Sequence, residues 1–181
     1  MGIYLSIFPG EKNRLQILRT QLDSNADVST RKNLYGHVTA SALVLNRKNE
    51  VVLIYHKQLQ KWIPPGGHHE AGEKVWESAS REAEEETGLK ALKLHAWHEQ
   101  NDMSPIDIDT HSIPNVPQKA EPEHFHFNFQ YLMHADEEQL HMDESEVSGA
   151  KWFSLKEARA LDNREVWDKV ERVINGQNVM S

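Results

Sequence analysis

The sequence predicts an α/β fold in which a mixed sheet lies between helices. Residues 37–45 and 51–56 alternate or run apolar around a polar turn, a pattern that predicts a β-hairpin. Helical periodicity follows over residues 75–87, and a second helical pattern occurs over residues 166–174. Because helical segments precede, interrupt and follow the strand segments, we expect helices on both faces of the sheet.

The N-terminal segment predicts a helix over residues 11–22, where three leucines recur at helical spacing, Leu15, Leu18 and Leu22. Residues 23–33 are polar and are typical of a linker. We therefore expect an N-terminal helical extension over residues 1–34, followed by one larger domain over residues 35–181.

Composition and charge exclude several classes of function. Hydrophobic residues make up 38% of the 181 positions and charged residues 27%, values typical of a soluble protein. The net charge of −8 argues against long nucleic acid as a partner, because a phosphate backbone requires a Lys/Arg-rich surface. The absence of cysteine excludes disulfides, thiolate metal sites and a cysteine nucleophile. The chain also has no signal-peptide pattern and no apolar run near 18 residues, so we expect a cytoplasmic protein with no membrane partner. A homodimer is compatible with the sequence.

The middle of the chain predicts two more strands, over residues 91–98 and 124–131, separated by a proline-interrupted loop over residues 100–122. Near the C-terminus, Ser154 and Glu157 have the spacing of a helix capping box.

The second of these strands has a period of two. One face carries Phe125, Phe127, Phe129 and Tyr131, and the other carries His124, His126, Asn128 and Gln130. Two histidines on one face could chelate a transition metal with His111 or Asp109. Such a face more often meets solvent or lines a polar cleft. Because this strand, the proline-interrupted loop and residues 67–89 could converge on one pocket, we expect His111, His124 and His126 to contact a substrate.

Residues 75–87 predict a helix with an apolar stripe at Val75, Ala79 and Ala83, spaced every four residues. Gly88 stands where a left-handed C-terminal cap is expected. His68, which precedes this helix, is expected to be an exposed loop residue, like its neighbour His69.

Three glutamates fall within an arc of about 100° beside the apolar stripe, at about 100° of rotation per residue; they are Glu82, Glu85 and Glu86. Glu84 projects elsewhere on the same helix. Carboxylates this close repel each other unless a cation lies among them, and oxygen ligands suit Mg²⁺ or Mn²⁺. The alternative is a solvated acidic helix face.

The spacing of the fixed positions resembles the Nudix box of the Nudix hydrolase superfamily. In this chain the positions are Gly67, five residues, Glu73, seven residues, Arg81-Glu82-Ala83, one residue, Glu85-Glu86, one residue and Gly88-Leu89. Ala83 stands where the family usually has a larger aliphatic residue. Upstream, Pro64 replaces a common Leu in the segment that resembles the approach strand and turn of the family.

The resemblance implies an α/β/α sandwich that hydrolyses a phosphoanhydride bond with Mg²⁺, or Mn²⁺ in its place. It also implies that the carbonyl of Gly66 joins Glu82, Glu85 and Glu86 as metal ligands, and that Arg81 pairs with Glu73 in the catalytic box.

Family members differ in the general base. Some use the glutamate that matches Glu82, and others use a glutamate in the loop before the last strand, where Glu146 is the best candidate and Glu144 the next.

The implied substrate is a small nucleotide, a nucleoside diphosphate linked to a further group X. Pro105 lies sixteen residues after Leu89, as in many members that act on ADP-ribose, which favours a nucleotide sugar. The alternatives are nucleoside triphosphates, dinucleoside polyphosphates, or a non-catalytic module that senses a nucleotide.

Overall fold

A computed structural model of the chain describes residues 1–115, 122–142, 147–162, 164–177 and 179. The strands are β1 Gly36–Leu45, β2 Val51–His56, β3 Lys61–Ile63, β4 Gly66–His68, β5 Lys93–Leu94, β6 Asp107–Ile113, β7 His124–His134 and β8 Val147–Phe153. The helices are α1 Gly2–Ile7, α2 Gln16–Asp23, α3 Val75–Thr87, α4 Ala96–Gln100, α5 Leu155–Leu161 and α6 Val166–Ile174. None of the described helices is long and apolar enough to cross a bilayer.

The described strands form one mixed sheet. Its main path runs β3-β2-β1-β7-β5, while β4 pairs with β1, β6 with β7, and β8 with β2. Strands β1 and β7 are parallel and stay in register from Gly36–Phe125 to Leu45–His134, whereas the other pairs are antiparallel. This arrangement confirms the predicted α/β class with a mixed sheet.

Two buried clusters cover the two faces of the sheet. On one face, Ala79 and Ala83 of α3 pack against Ala40, Ala42 and Val44 of β1. Because these side chains are small, the helix can approach the sheet closely, and Ala83 is fully buried there. The second cluster includes residues from the N-terminal helices and from α6, among them Tyr4, Phe8, Leu15, Leu18, Trp167 and Val170.

Local signals predicted several elements correctly. Helix α3 ends at Gly88, whose φ of 73° is the left-handed conformation expected of a C-terminal cap. Ser154 and Glu157 form the capping box of α5. Strands β1 and β2 and helix α6 also lie where the periodicity placed them.

The strand prediction for residues 91–98 was wrong beyond β5. His95 accepts a hydrogen bond from the Trp97 N–H at 3.1 Å and so caps α4. His98 is then buried, with Nδ1 2.7 Å from the Ser104 carbonyl and Nε2 accepting the Leu132 N–H at 2.9 Å. The two hydrogen bonds of the His98 side chain thus favour a short helix over a longer strand.

The loop prediction for residues 100–122 was wrong for β6, which Pro105 and Pro114 flank on either side. The predicted helix over residues 11–22 begins too early, since residues 11 and 12 belong to a 3-10 turn at Pro9–Lys12 and α2 spans Gln16–Asp23.

A buried charge network joins the N-terminal helices to β6 and α6. The Lys169 Nζ lies 2.6 Å from the Asp107 Oδ1 and also contacts Glu11. Arg14 reaches the same Asp107 oxygen at 2.6 Å, and the ammonium of Lys169 lies 4.0 Å from the centre of the Phe8 ring. The N-terminal residues therefore contribute to the main core, and a domain boundary at residue 34 stays a prediction.

Candidate active site and a histidine cluster beside it

Strand β4 brings two glycines against the carboxylates of α3. The Gly66 N–H donates a hydrogen bond to the Glu86 Oε2 at 2.9 Å. A Cβ placed on Gly67 would lie 2.3 Å from the Glu82 Oε2, so this carboxylate lies directly over the glycine. A Cβ on Gly66 would lie 2.4 Å from the Ala40 carbonyl oxygen. A Cβ at position 66 would thus collide with backbone, whereas one at position 67 would collide with the end of the Glu82 side chain.

Arg81 connects the loop, the strand and the helix. Its guanidinium donates to the Glu73 Oε1 at 3.0 Å, to the Glu82 Oε1 at 2.8 Å and to the His68 carbonyl at 3.1 Å. A longer contact of 3.4 Å reaches Glu85. Arg81 thus makes the Glu73 contact that the resemblance implies, and it also orients Glu82.

The titration of this network follows from the same contacts. Burial alone would lower the pKa of Arg81, but Glu73 and Glu82 outweigh it and raise the pKa. A hydrogen bond from the Ser78 hydroxyl lowers the pKa of Glu73, and Arg81 lowers it further. The anchoring pair is therefore charged at neutral pH.

The donor set of α3 suits a hard divalent cation. Glu86 is 5% exposed and Glu82 is largely covered, whereas the Glu85 side chain is 60% exposed. All three offer only oxygen atoms, the ligand type that Mg²⁺ and Mn²⁺ prefer. Among the described residues, however, the trio whose ligand atoms all lie within 4.8 Å of one another is a different one, made of histidines.

Glu146 and Glu144, the loop candidates for a general base, lie outside the described residues. Of the two proposed bases, Glu82 alone has a described position, between Arg81 and Gly67.

Five histidines meet on the face of the sheet that points away from α3. The strand register places His37, His126 and His111 side by side on β1, β7 and β6. His124 lies two residues before His126, so its side chain shares that face. His68 of β4 pairs with Thr39 and therefore faces the same way as His37. The ring centres of His126 and its neighbours are 4.9–5.6 Å apart.

The contacts around His124 and His126 fix these two rings. The His124 Nδ1 lies 2.8 Å from the Pro122 carbonyl, which can only accept, so this nitrogen carries the proton. The His124 Nε2 faces the His126 Nε2 at 3.2 Å. Burial lowers the pKa of His126 to about 3, and the neighbouring rings, His68 first, add to the effect. His126 is therefore neutral at physiological pH.

A cavity opens beside the cluster, lined by His37, His68 and His124 together with Arg31, Asn33, Leu34 and Pro122. Along β7 the polar face is buried and not solvated: Asn128 is 9% exposed and accepts a hydrogen bond from the Ser41 hydroxyl at 3.0 Å.

The structure brings together the three histidines that the sequence singled out, His111, His124 and His126. The sequence patterns did not indicate His37, whose proximity depends on the pairing of β1 with β7. The expectation that His68 and His69 are exposed loop residues was wrong. His68 is half-buried in β4, and His69 is buried with its Nδ1 2.9 Å from the Ser78 hydroxyl.

Comparison with known proteins supports the resemblance to the Nudix family. The family model described as NUDIX domain matches residues 36–172. A protein of Lactococcus lactis subsp. cremoris named "Probable DHNTP pyrophosphohydrolase" is 28% identical over 134 residues, which cover 74% of this chain and 75% of that protein. A Xenopus laevis protein named m7GpppN-mRNA hydrolase NUDT17 is 32% identical over 106 residues, or 55% of this chain and 33% of that protein.

Among solved structures, the Ap4A hydrolase of C. elegans in a binary complex superposes with a TM-score of 0.58. The identity is 19%, and the superposition covers 77% of this chain and 98% of that one. At this identity the likeness concerns the fold.

Proposed function

Since the chain belongs to the Nudix hydrolase family, we propose that it hydrolyses a phosphoanhydride bond in a small nucleotide with the help of Mg²⁺. The observation that carries the proposal is that two carboxylates of α3 contact the glycines of β4. Glu82 packs against Gly67, and Glu86 accepts a hydrogen bond from the Gly66 N–H. Arg81 stabilises the same arrangement by donating hydrogen bonds to Glu82 and to the His68 carbonyl.

Four residues would hold the ion: Glu82, Glu85, Glu86 and the carbonyl of Gly66. When bound, Mg²⁺ neutralises the phosphate oxygens that otherwise repel a nucleophile. Arg81 orients Glu82 through its 2.8 Å hydrogen bond and also donates to the His68 carbonyl, so β4 and α3 keep one relative geometry.

The water that attacks the phosphorus must lose a proton to a general base. Glu82 and Glu146 are the two candidates, and Glu82, which lies among the described residues, accepts a hydrogen bond from Arg81. A glutamate that acts as the base accepts the proton at a carboxylate oxygen, so its amide variant loses this step.

For the substrate we propose a nucleoside diphosphate linked to a group X, with a nucleotide sugar such as ADP-ribose first. Pro105, the residue that favours it, lies just before β6. The name of the Lactococcus protein supports a triphosphate as the second candidate. A nucleotide-sensing module without activity is less favoured, because this chain keeps every carboxylate of the box.

We also propose that His111, His124 and His126 line the pocket for group X. Two facts support this: the three rings share one face of the sheet, and His124 borders the cavity. His68 links that cavity to the box, because its ring faces the cluster while its carbonyl accepts from Arg81.

The test is a substrate panel with Mg²⁺, covering nucleotide sugars, dinucleoside polyphosphates and nucleoside triphosphates, followed by variants on the best substrate. Glu86→Gln should keep the fold and lower kcat by about 10²-fold or more, since the lost ligand charge is worth several kcal/mol. Glu84→Gln, the same change on the same helix, should behave as wild type. Full Mg²⁺-dependent activity in a folded Glu86→Gln protein would contradict the proposal.

Matched variants show which of the two candidates is the general base. If Glu146 is the base, Glu146→Gln lowers kcat by about 10²–10⁴-fold without changing metal affinity. If Glu82 is the base, Glu146→Gln is nearly silent and Glu82→Gln is severe.

A further inference from the structure

The histidine cluster offers a donor set that differs from that of the carboxylate site. Its three closest members, His37, His124 and His126, each present a ring nitrogen, and these nitrogens all lie within 4.8 Å of one another. Imidazole nitrogens are ligands for Zn²⁺ and the neighbouring transition metals, whereas Mg²⁺ prefers oxygen. We infer that His37, His124 and His126 form a second metal site, which binds a transition-metal ion of the Zn²⁺ type.

The distances fit tetrahedral zinc. Two nitrogens that are each about 2.0–2.1 Å from a tetrahedral Zn²⁺ lie about 3.3–3.4 Å apart. The Nε2 atoms of His124 and His126 are 3.2 Å apart, so this pair already has the required separation. The ligand nitrogen of His37, at no more than 4.8 Å, has to close by at most about 1.5 Å to reach the same separation.

One ligand is also held in the correct tautomer. Metal-bound histidines usually donate their second ring N–H to a carbonyl or carboxylate, which fixes the ring and frees the other nitrogen for the metal. The His124 Nδ1–H donates to the Pro122 carbonyl at 2.8 Å, and its Nε2 lone pair points at His126.

Two of the three candidate ligands are buried. His37 is 5% exposed and His124 is 7% exposed, so neither ring is a solvated surface group. Three protein ligands leave a fourth position of a tetrahedral ion for water or an anion. The cavity beside His37 and His124 has room for this fourth ligand, and Arg31 lies in its wall.

The two metal sites are distinct because side chains alternate along β4. Gly67 faces Glu82 on the α3 side, and His68, the next residue, faces the histidines on the other side. The inference therefore does not depend on the proposed hydrolysis, and metal binding at one face can be measured while the other is disabled. The bound ion would itself lie in the wall of the pocket proposed for group X.

The experiment measures metal binding without substrate. Chelator-treated, desalted protein is titrated with Zn²⁺ by calorimetry in excess Mg²⁺, and with Co²⁺ as a spectroscopic probe. We expect about one equivalent of Zn²⁺ to bind with a Kd in the micromolar range or below, and Co²⁺ to give the visible bands of a tetrahedral nitrogen site.

Variants assign the site. His126→Ala should raise the Kd for Zn²⁺ by at least about 100-fold. His124→Gln, which removes the ligand with less change in volume, should do the same if His126→Ala does not fold. The matched control is His134→Ala at the opposite end of β7, and neither this change nor Glu86→Gln should alter Zn²⁺ affinity.

Three results would overturn the inference: wild-type protein that does not bind Zn²⁺ in excess Mg²⁺, a folded His126→Ala or His124→Gln protein with unchanged affinity, or loss of binding in Glu86→Gln. The last result would assign the ion to the carboxylates. Inactivity on the substrate panel would count against the proposed function alone.

Discussion

Replacing Gly67 with alanine tests whether the position of the Glu82 carboxylate controls turnover. The added methyl group would lie 2.3 Å from the Glu82 Oε2 and 2.5 Å from its Cδ. Real Cβ atoms essentially never approach closer than 3.0 Å, and ordinary contact begins at 3.4 Å. The carboxylate must therefore retreat by 0.7 Å (3.0 minus 2.3) to 1.1 Å (3.4 minus 2.3).

A displacement of this size has a large effect on rate and a small one on stability. A misplacement of about 1 Å in a reacting group can cost about 10²-fold, so kcat of Gly67→Ala should fall by about that factor. The atom that has to move is the end of a side chain, so the backbone and the fold should persist. In contrast, Gly66→Ala would place its methyl 2.4 Å from the backbone oxygen of Ala40 and should destabilise the protein.

The assay pairs kcat on the best panel substrate at saturating Mg²⁺ with urea unfolding of the same preparations. Gly10→Ala is the matched control, because its Cβ would meet nothing within 4 Å. Wild-type kcat in a folded Gly67→Ala protein would refute the reasoning, since it would show that Glu82 need not lie where the structure places it.

Two further predictions concern the buried charge network. Among the described residues, Lys169→Met leaves Asp107 paired with Arg14 alone. The loss of one charged hydrogen bond should lower the free energy of unfolding by about 2 kcal/mol in urea unfolding, with exposed Lys156→Met as the control. Equal midpoints would contradict it. Burial raises the pKa of Glu11, but hydrogen bonds led by those from Lys169 and Tyr4 outweigh it and lower the pKa below 4.5. The stabilisation that ionised Glu11 contributes is thus present above pH 4.5 and lost as the pH falls through the lowered pKa. Glu11→Gln should therefore reduce the loss of folding stability at acid pH. An unchanged loss would contradict this role of Glu11.

Local spacing was sufficient to predict the box helix. The stripe at Ala79 and Ala83 depends on the helical repeat alone, and Gly88 depends on one backbone conformation. Such signals lie within one turn of the residue that carries them. Sequence reasoning could therefore place the glutamates on one helix next to buried contacts.

Long-range pairing could not be predicted in this way. His37 reaches His126 because β1 and β7 pair in parallel, and no local pattern at either strand specifies that partner. In α1, the buried Tyr4 hydroxyl accepts hydrogen bonds from the Ile108 N–H and from Lys169, which are distant in the sequence. Features of this kind depend on tertiary packing, which overrides local propensity.

The register of β4 determines where both candidate sites can form. Within three residues, Gly66 meets Glu86, Gly67 lies under Glu82, and His68 directs its ring to the opposite face. A shift of one residue in the pairing with β1 would exchange the faces, because the side-chain period of a strand is two. With His68 opposite Ala40, its ring would be directed at the Glu82 carboxylate, and His69 would take its place opposite Thr39. Close packing of the glycines therefore excludes the shifted register, and the same contacts that position the carboxylates also hold the imidazole face in place.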